Sequence, residues 1–157
     1  MRRINLLILL LLATFATAAP AQVPAPLSPG LHDVVINDVR LSYRVAGQAR
    51  GTPVVFLHGG PGQGSQTFAR FAGPPLERAN RMVYLDQRGS GRSEKHWRKD
   101  YSIDLMVDDL EKLRRHWRAE KIALIGHSFG TILALEYAAR YPQAVSHLVV
   151  SGAVVIE

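Results

Sequence analysis

Among the side chains that could do chemistry, the serine at position 128 has the most informative neighbours. Gly126, His127, Ser128, Phe129 and Gly130 form a G-x-S-x-G pattern, and four apolar residues, Ile122 to Ile125, precede it. A serine hydroxyl is a weak nucleophile until a base takes its proton and nearby N–H groups stabilise the oxyanion it creates. A sharp strand-to-helix turn exposes such a hydroxyl, and glycines two residues to either side are needed where side chains would collide with the adjoining strand and helix. The N–H of Phe129 lies in the first turn of the helix that follows, has no acceptor within that helix, and is available to an oxyanion. The pentapeptide alone recurs by chance. Its weight comes from the apolar strand before it, the helix after it and two further motifs upstream.

The first upstream motif is His58-Gly59-Gly60-Pro61-Gly62-Gln63-Gly64, directly after the apolar run Val54 to Leu57. A phosphate-binding loop would need lysine after its last glycine, where Ser65 stands. A dinucleotide fingerprint would need different glycine spacing and a helix opening in register. An oxyanion loop after a central strand, with exposed N–H groups facing the nucleophile, fits best; a turn that merely uses glycines is the alternative. The second motif, Asp86-Gln87-Arg88-Gly89-Ser90-Gly91-Arg92-Ser93, follows another apolar run, Met82 to Leu85. Asp86 and Arg88 are expected to pair and, with His58, to shape the loops beside the site without chemistry of their own.

The elements that must position these groups read as follows. Asp33 to Ile36 and Arg40 to Val45 predict an antiparallel hairpin turning at Asn37-Asp38, at a sheet edge. Val54 to Leu57, Met82 to Leu85, Ile122 to Ile125 and Leu148 to Val150 are short apolar runs, as in strands buried on both faces. Between them lie a helix over 68–79 interrupted by Gly73-Pro74-Pro75, a polar exposed stretch over 94–99, and a helix capped by Ser102 with Asp104 in its first turn. Met106, Leu110, Leu113 and Trp117 recur at helical spacing; this stripe is core packing, not a cofactor box. The helix after Ser128 stops at Tyr141, before Pro142. Strands alternating with helices predict an α/β fold with a mostly parallel sheet.

With 157 residues, the chain accommodates one domain at most. Met1-Arg2-Arg3, the apolar run Leu6 to Leu12 and the small residues Ala16 to Ala21 predict a secretory signal peptide over 1–21, with an uncleaved anchor as the alternative. A flexible Pro/Ala-rich tail is expected over 22–30 and the core domain over 31–157. The chain contains no cysteine, which excludes disulfides and a lipoprotein anchor. The net charge of +6 would suit a nucleic-acid partner only if clustered. The densest group, Arg114, Arg115 and Arg118, reads instead as the solvated face of the helix.

Taken together, H-G-G-P-G at His58 to Gly62, D-Q-R-G-S-G-R-S at Asp86 to Ser93 and G-H-S-F-G-T at Gly126 to Thr131 resemble the proline iminopeptidase family of α/β-hydrolases. The resemblance spans about Val34 to Gly152, the N-terminal half of such an enzyme. It implies Ser128 as nucleophile, with Gly59, Gly60 and Phe129 supplying oxyanion N–H groups. It also implies a small peptide or ester substrate, no metal, no cofactor and no nucleic-acid partner. Proline iminopeptidases more often have glycine before the serine and tryptophan after it, where this chain has His127 and Phe129. A carboxylesterase and a non-catalytic fragment or binding module therefore stay open beside the aminopeptidase.

In this family the triad acid and histidine follow the serine. His147, the one histidine after Ser128, precedes the last apolar run and so belongs at the opposite edge of the sheet, on the order of 15 Å away. Glu157 is the remaining candidate acid. His58 is expected to brace its loop, and His127 to point away from the elbow. The chain is accordingly expected to be a truncated sequence lacking the cap and last strands, with its final strand an open edge and little activity by itself.

Overall fold

The computed structural model describes residues 25–60, 62–95 and 100–153. The signal-peptide expectation, Glu157 and most of the polar stretch over 94–99 lie outside these residues. The hairpin forms as expected from β1 (Gly30–Ile36) and β2 (Val39–Ala46), paired antiparallel. Asn37 and Asp38 both adopt positive φ, 48° and 58°, as a two-residue turn with the twist of its strands demands. Residues ahead of the hairpin are docked where a free tail was expected. The Pro26 carbonyl accepts a 2.9 Å hydrogen bond from Tyr43, and Leu27 packs on the core.

β3 (Val54–Leu57), β4 (Met82–Asp86), β5 (Ile122–His127) and β6 (Val145–Ser151) complete a six-stranded sheet in the order β1-β2-β4-β3-β5-β6. β4, β3, β5 and β6 run parallel, and the hairpin joins antiparallel through β2. Both faces of the central strands are covered, which is why their sequences are unbroken apolar runs and not alternating ones.

On one face α3 (Ile103–His116) and α4 (Phe129–Arg140) pack against Val55, Leu57, Val83, Leu85 and Leu124. On the other, α1 (Gln66–Phe71) and α2 (Gly73–Glu77) cover Phe56, Met82 and Tyr84. The expected interruption falls at Ala72, because Pro74 and Pro75 can occupy only a first helical turn, which they do in α2. The Ser102 hydroxyl caps α3 by accepting from the Leu105 N–H, and Met106, Leu110, Leu113 and Trp117 are buried as the stripe predicts. β6 forms the other sheet edge, with Leu148, Val149 and Val150 exposed. Among the described residues no helix is long and apolar enough to cross a membrane.

Two electrostatic expectations change. Asp86 does not pair with Arg88. Its carboxylate accepts from the Ser65 N–H (2.7 Å), the Ser65 hydroxyl (2.8 Å) and the Arg92 N–H (2.8 Å). Residues 86 and 88 would share a face if β4 continued, but the chain turns at Gln87, whose carbonyl accepts from the Ser90 N–H. The turn sends Arg88 to the opposite face, where it forms a bidentate, buried ion pair with Asp109 of α3 (2.7 and 2.8 Å). Arg114 is not part of a purely solvated face either. It grips the buried Glu111, which also accepts from Arg115 and Tyr137 and so ties α3 to α4.

Candidate active site

β3, β4 and β5 end at one height: Leu57 pairs with Leu85 on one side and with Gly126 on the other. The loops that leave them are therefore neighbours at the carboxyl edge of the sheet. Ser128 caps α4 with φ 51° and ψ −120°, a conformation that costs a non-glycine residue on the order of 1–3 kcal/mol. The turn holds because Ser128 N–H donates to the Ser151 carbonyl (2.9 Å) and its own carbonyl accepts from Thr131 N–H (2.8 Å).

The flanking glycines are needed for space. A Cβ on Gly126 would lie 2.6 Å from the Gly130 carbonyl oxygen, and one on Gly130 would overlap the Leu57 carbonyl. Ser128 itself is partly exposed at the end of this turn.

The glycine-rich loop lies against the elbow. A Cβ on Gly59 would be 2.8 Å from Ser128 Cβ and 3.1 Å from the His127 carbonyl oxygen, so the backbone at 59 and the serine are in contact. Gly60 adopts a left-handed φ of 52°. Phe129 N–H stands in the first turn of α4, where the helix offers it no acceptor. Gly59 thus lies against Ser128, and Phe129 follows Ser128 in the chain; Gly60 faces the Gln63 side chain.

His58 holds the loop, and its partner is Gln87, a residue the motifs did not single out. The His58 N–H donates to Gln87 Oε1 (3.0 Å) and Gln87 Nε2 donates to the His58 carbonyl (3.1 Å). Gln87 N–H donates to His58 Nε2 (3.2 Å), so the ring carries its proton on Nδ1 and gives it to the Gly59 carbonyl (3.0 Å). Burial pushes the imidazole below its ordinary value, against the Gly59 carbonyl and Asp86, which act the other way. With both nitrogens engaged, His58 is a brace. The signal that could have found Gln87 is strand register: Leu57 pairs with Leu85, so continuing the ladder sets residue 58 opposite 86, one position from Gln87.

His127 does not turn clear of the site. Its ring lies between Gly59 and Gly152, with Cδ2 3.2 Å from where a Gly59 Cβ would be. His147 pairs with Ala123 near the start of β5, four ladder steps from the pair between His127 and Ser151. No hydrogen bond joins the Ser128 hydroxyl to any of these imidazoles among the described residues.

The α/β hydrolase fold family matches residues 52–157, and the chain belongs to that family. Its sequence is similar to the proline iminopeptidase of Arabidopsis thaliana, 39% identical over 133 residues, which are 82% of this chain and 34% of that one. The fold is similar to that of a proline iminopeptidase-related protein from Thermus thermophilus, with a TM-score of 0.69, 31% identity, and coverage of 76% of this chain and 44% of the other. A meta-cleavage product hydrolase from Pseudomonas fluorescens is similar as well, with a TM-score of 0.71, 30% identity, and coverage of 78% and 44%. The chain spans less than half the length of each of these relatives.

Proposed function

We propose that the protein is a serine hydrolase of aminopeptidase type that removes an N-terminal proline or other small residue. Ser128 Oγ is the nucleophile. It attacks the scissile carbonyl carbon, and the resulting oxyanion is held by Phe129 N–H and by the N–H of Gly59 or Gly60. The hydroxyl proton passes to a histidine oriented by an acid, both outside the described residues, and from there to the leaving amine as the C–N bond breaks; water, deprotonated by the same histidine, then hydrolyses the acyl-enzyme, releasing the cleaved residue and restoring Ser128. The observation that carries this reading is the strained Ser128 at the amino end of α4 with the Gly59 backbone packed against it. The peptidase assignment rests on similarity to proline iminopeptidases.

A carboxylesterase is the second reading, favoured by a specific feature. Among the described residues, the cavity beside Phe129 is lined by no acidic side chain that could hold a substrate amine. The test is labelling of the full-length protein with a fluorophosphonate, followed by turnover of a prolyl arylamide and a p-nitrophenyl ester. Labelling at Ser128 that disappears in Ser128→Ala supports the nucleophile, and labelling that persists in that variant refutes it. The two substrates decide between peptidase and esterase. We further propose that residues 1–21 direct secretion. An intact Met1 on protein recovered from outside the cytoplasm would exclude cleavage.

A further inference from the structure

We propose that Arg44, Arg70 and Arg92 form a binding site for a phosphate group, presented as the free ion or on a lipid headgroup. Three elements well separated in sequence deliver them: β2 carries Arg44, α1 carries Arg70, and the turn after β4 carries Arg92. Together with Ser65, Gln66 and Ala69 they line a cavity of about 290 Å³. A single water needs only about 10–15 Å³ of such space, so a phosphate group can enter with part of its hydration shell.

The charge on these walls is not balanced. Among the described residues neither Arg70 nor Arg92 has a carboxylate partner. The Arg70 guanidinium lies over the Phe71 ring, 5.3 Å from its centre, and Arg92 bonds only through its backbone, its N–H to Asp86 and its carbonyl from Arg40. Arg44 is oriented from two sides: it donates to Glu77 Oε1 (2.8 Å) and lies 4.7 Å from the centre of the Tyr84 ring. Those contacts leave other guanidinium donors of Arg44 open. With Arg44 and Glu77 offsetting each other, the positive charges of Arg70 and Arg92 face one further acid, the buried Asp86. Its carboxylate already accepts from Ser65 N–H, the Ser65 hydroxyl and Arg92 N–H.

This arrangement suits phosphate better than a carboxylate. A phosphate monoester carries about −1.5 to −2 charges at neutral pH, enough to offset both unpaired guanidiniums. It also has an oxygen for each of three converging guanidinium forks, where a carboxylate has only two. A phosphate held here would join α1 and β2 to the turn that carries Arg92. That turn is packed on the glycine-rich loop, since a Cβ on Gly64 would lie 2.9 Å from Gly91 Cα. Binding should therefore stabilise the fold. It does not depend on the chemistry of Ser128, and Ser128→Ala should bind phosphate as the wild type does.

The test is the Tm of the full chain in rising sodium phosphate, compared with sodium chloride at equal ionic strength. The excess stabilisation in phosphate gives an apparent Kd. Arg70 and Arg92 are exposed, so Arg70→Gln and Arg92→Gln should fold normally, and each should raise that Kd about ten-fold, the loss of one charged hydrogen bond. Arg118→Gln removes an equal charge just past α3, on the other face of the sheet, and should leave the Kd unchanged. Sedimentation with phosphatidylcholine vesicles, with and without phosphatidic acid, separates the two sources. Binding only to the phosphatidic acid vesicles that Arg92→Gln abolishes assigns the site to a headgroup, and phosphate binding without vesicle binding assigns it to the free ion. Phosphate no more stabilising than chloride, or an Arg118→Gln variant as weakened as Arg92→Gln, overturns the site.

Discussion

Replacing Gln87 by leucine tests whether the reciprocal lock with His58 holds the glycine-rich loop in place. Leucine is one heavy atom shorter, still apolar in its stem, and has no polar atoms. The substitution removes the bond from His58 N–H to Oε1 and the bond from Nε2 to the His58 carbonyl, leaving only Gln87 N–H donating to the ring. Both residues are buried, His58 3% and Gln87 4% exposed, so water does not replace the lost partners. Each stranded group costs about 1–3 kcal/mol, and two of them cost about 2–6 kcal/mol. Against a typical total stability of about 5–15 kcal/mol, that is a large fraction.

The assay is urea unfolding at pH 7, followed by the fluorescence of the buried Trp117. The expected result is a lower midpoint at unchanged slope. Gln87→Glu adds a sign check. A buried carboxylate facing the His58 carbonyl has a raised folded pKa, so its penalty relative to wild type is small near pH 4.5 and grows as pH rises. A loss under about 1 kcal/mol for Gln87→Leu, or a Glu variant whose deficit does not grow with pH, would refute the reasoning.

Three further outcomes follow from the same kind of accounting. The hydrogen bond from Arg114, helped by Arg115 and Tyr137 and opposed by burial, pushes the Glu111 carboxyl from 4.5 down to about 2. Its stabilisation is complete above pH 4.5 and is lost as pH falls from there toward 2, roughly 3 kcal/mol in all; Glu111→Gln should flatten that part of the stability curve, and an unchanged curve would count against the network. Gly59→Ala places a methyl 2.8 Å from Ser128 Cβ, pushing the loop away, and should slow fluorophosphonate labelling about 100-fold or more if the proposed nucleophile is right; wild-type labelling would mean that this loop supplies no oxyanion donor. Arg88→Met leaves the buried Asp109 charge without its cation and with only the Asn37 amide as donor, and should cost about 3–5 kcal/mol in urea unfolding, most of it recovered by Arg88→Met with Asp109→Leu; a double variant as unstable as the single one would contradict this.

Much of this architecture could be read from residue patterns because the signals were local. Val54 to Leu57 is an unbroken apolar run because helices cover both its faces, and Asn37-Asp38 tolerates the positive φ of a two-residue turn. Ser128 and its glycines announce the elbow in five residues. What could not be read depends on where the chain goes after it leaves an element. The expected pairing of Asp86 with Arg88 fails because the turn at Gln87 sends the two side chains to opposite faces, Asp86 to Ser65 and Arg88 to Asp109. Nothing in the sequence around Glu111 marks it as buried. Only the packing of α3 on α4 brings Tyr137 to it and buries it.

The position of the site follows from the order of the strands. From β3 the chain crosses one face through α1 and α2 to reach β4; from β4 it crosses the other face through α3 to reach β5 on the far side of β3. Loops that leave neighbouring strands for opposite faces open a crevice at their carboxyl ends, which is where α/β sheets bind ligands. Ser128 stands at that crevice in a backbone conformation it would not adopt alone. The conformation persists because three packed constraints oppose relaxation: Gly130 against the Leu57 carbonyl, Gly59 against Ser128, and the bond from Ser128 N–H to Ser151. Loosening any one should relax the turn and withdraw the hydroxyl from the oxyanion donors, so stability of the loop and reactivity of the serine should fall together.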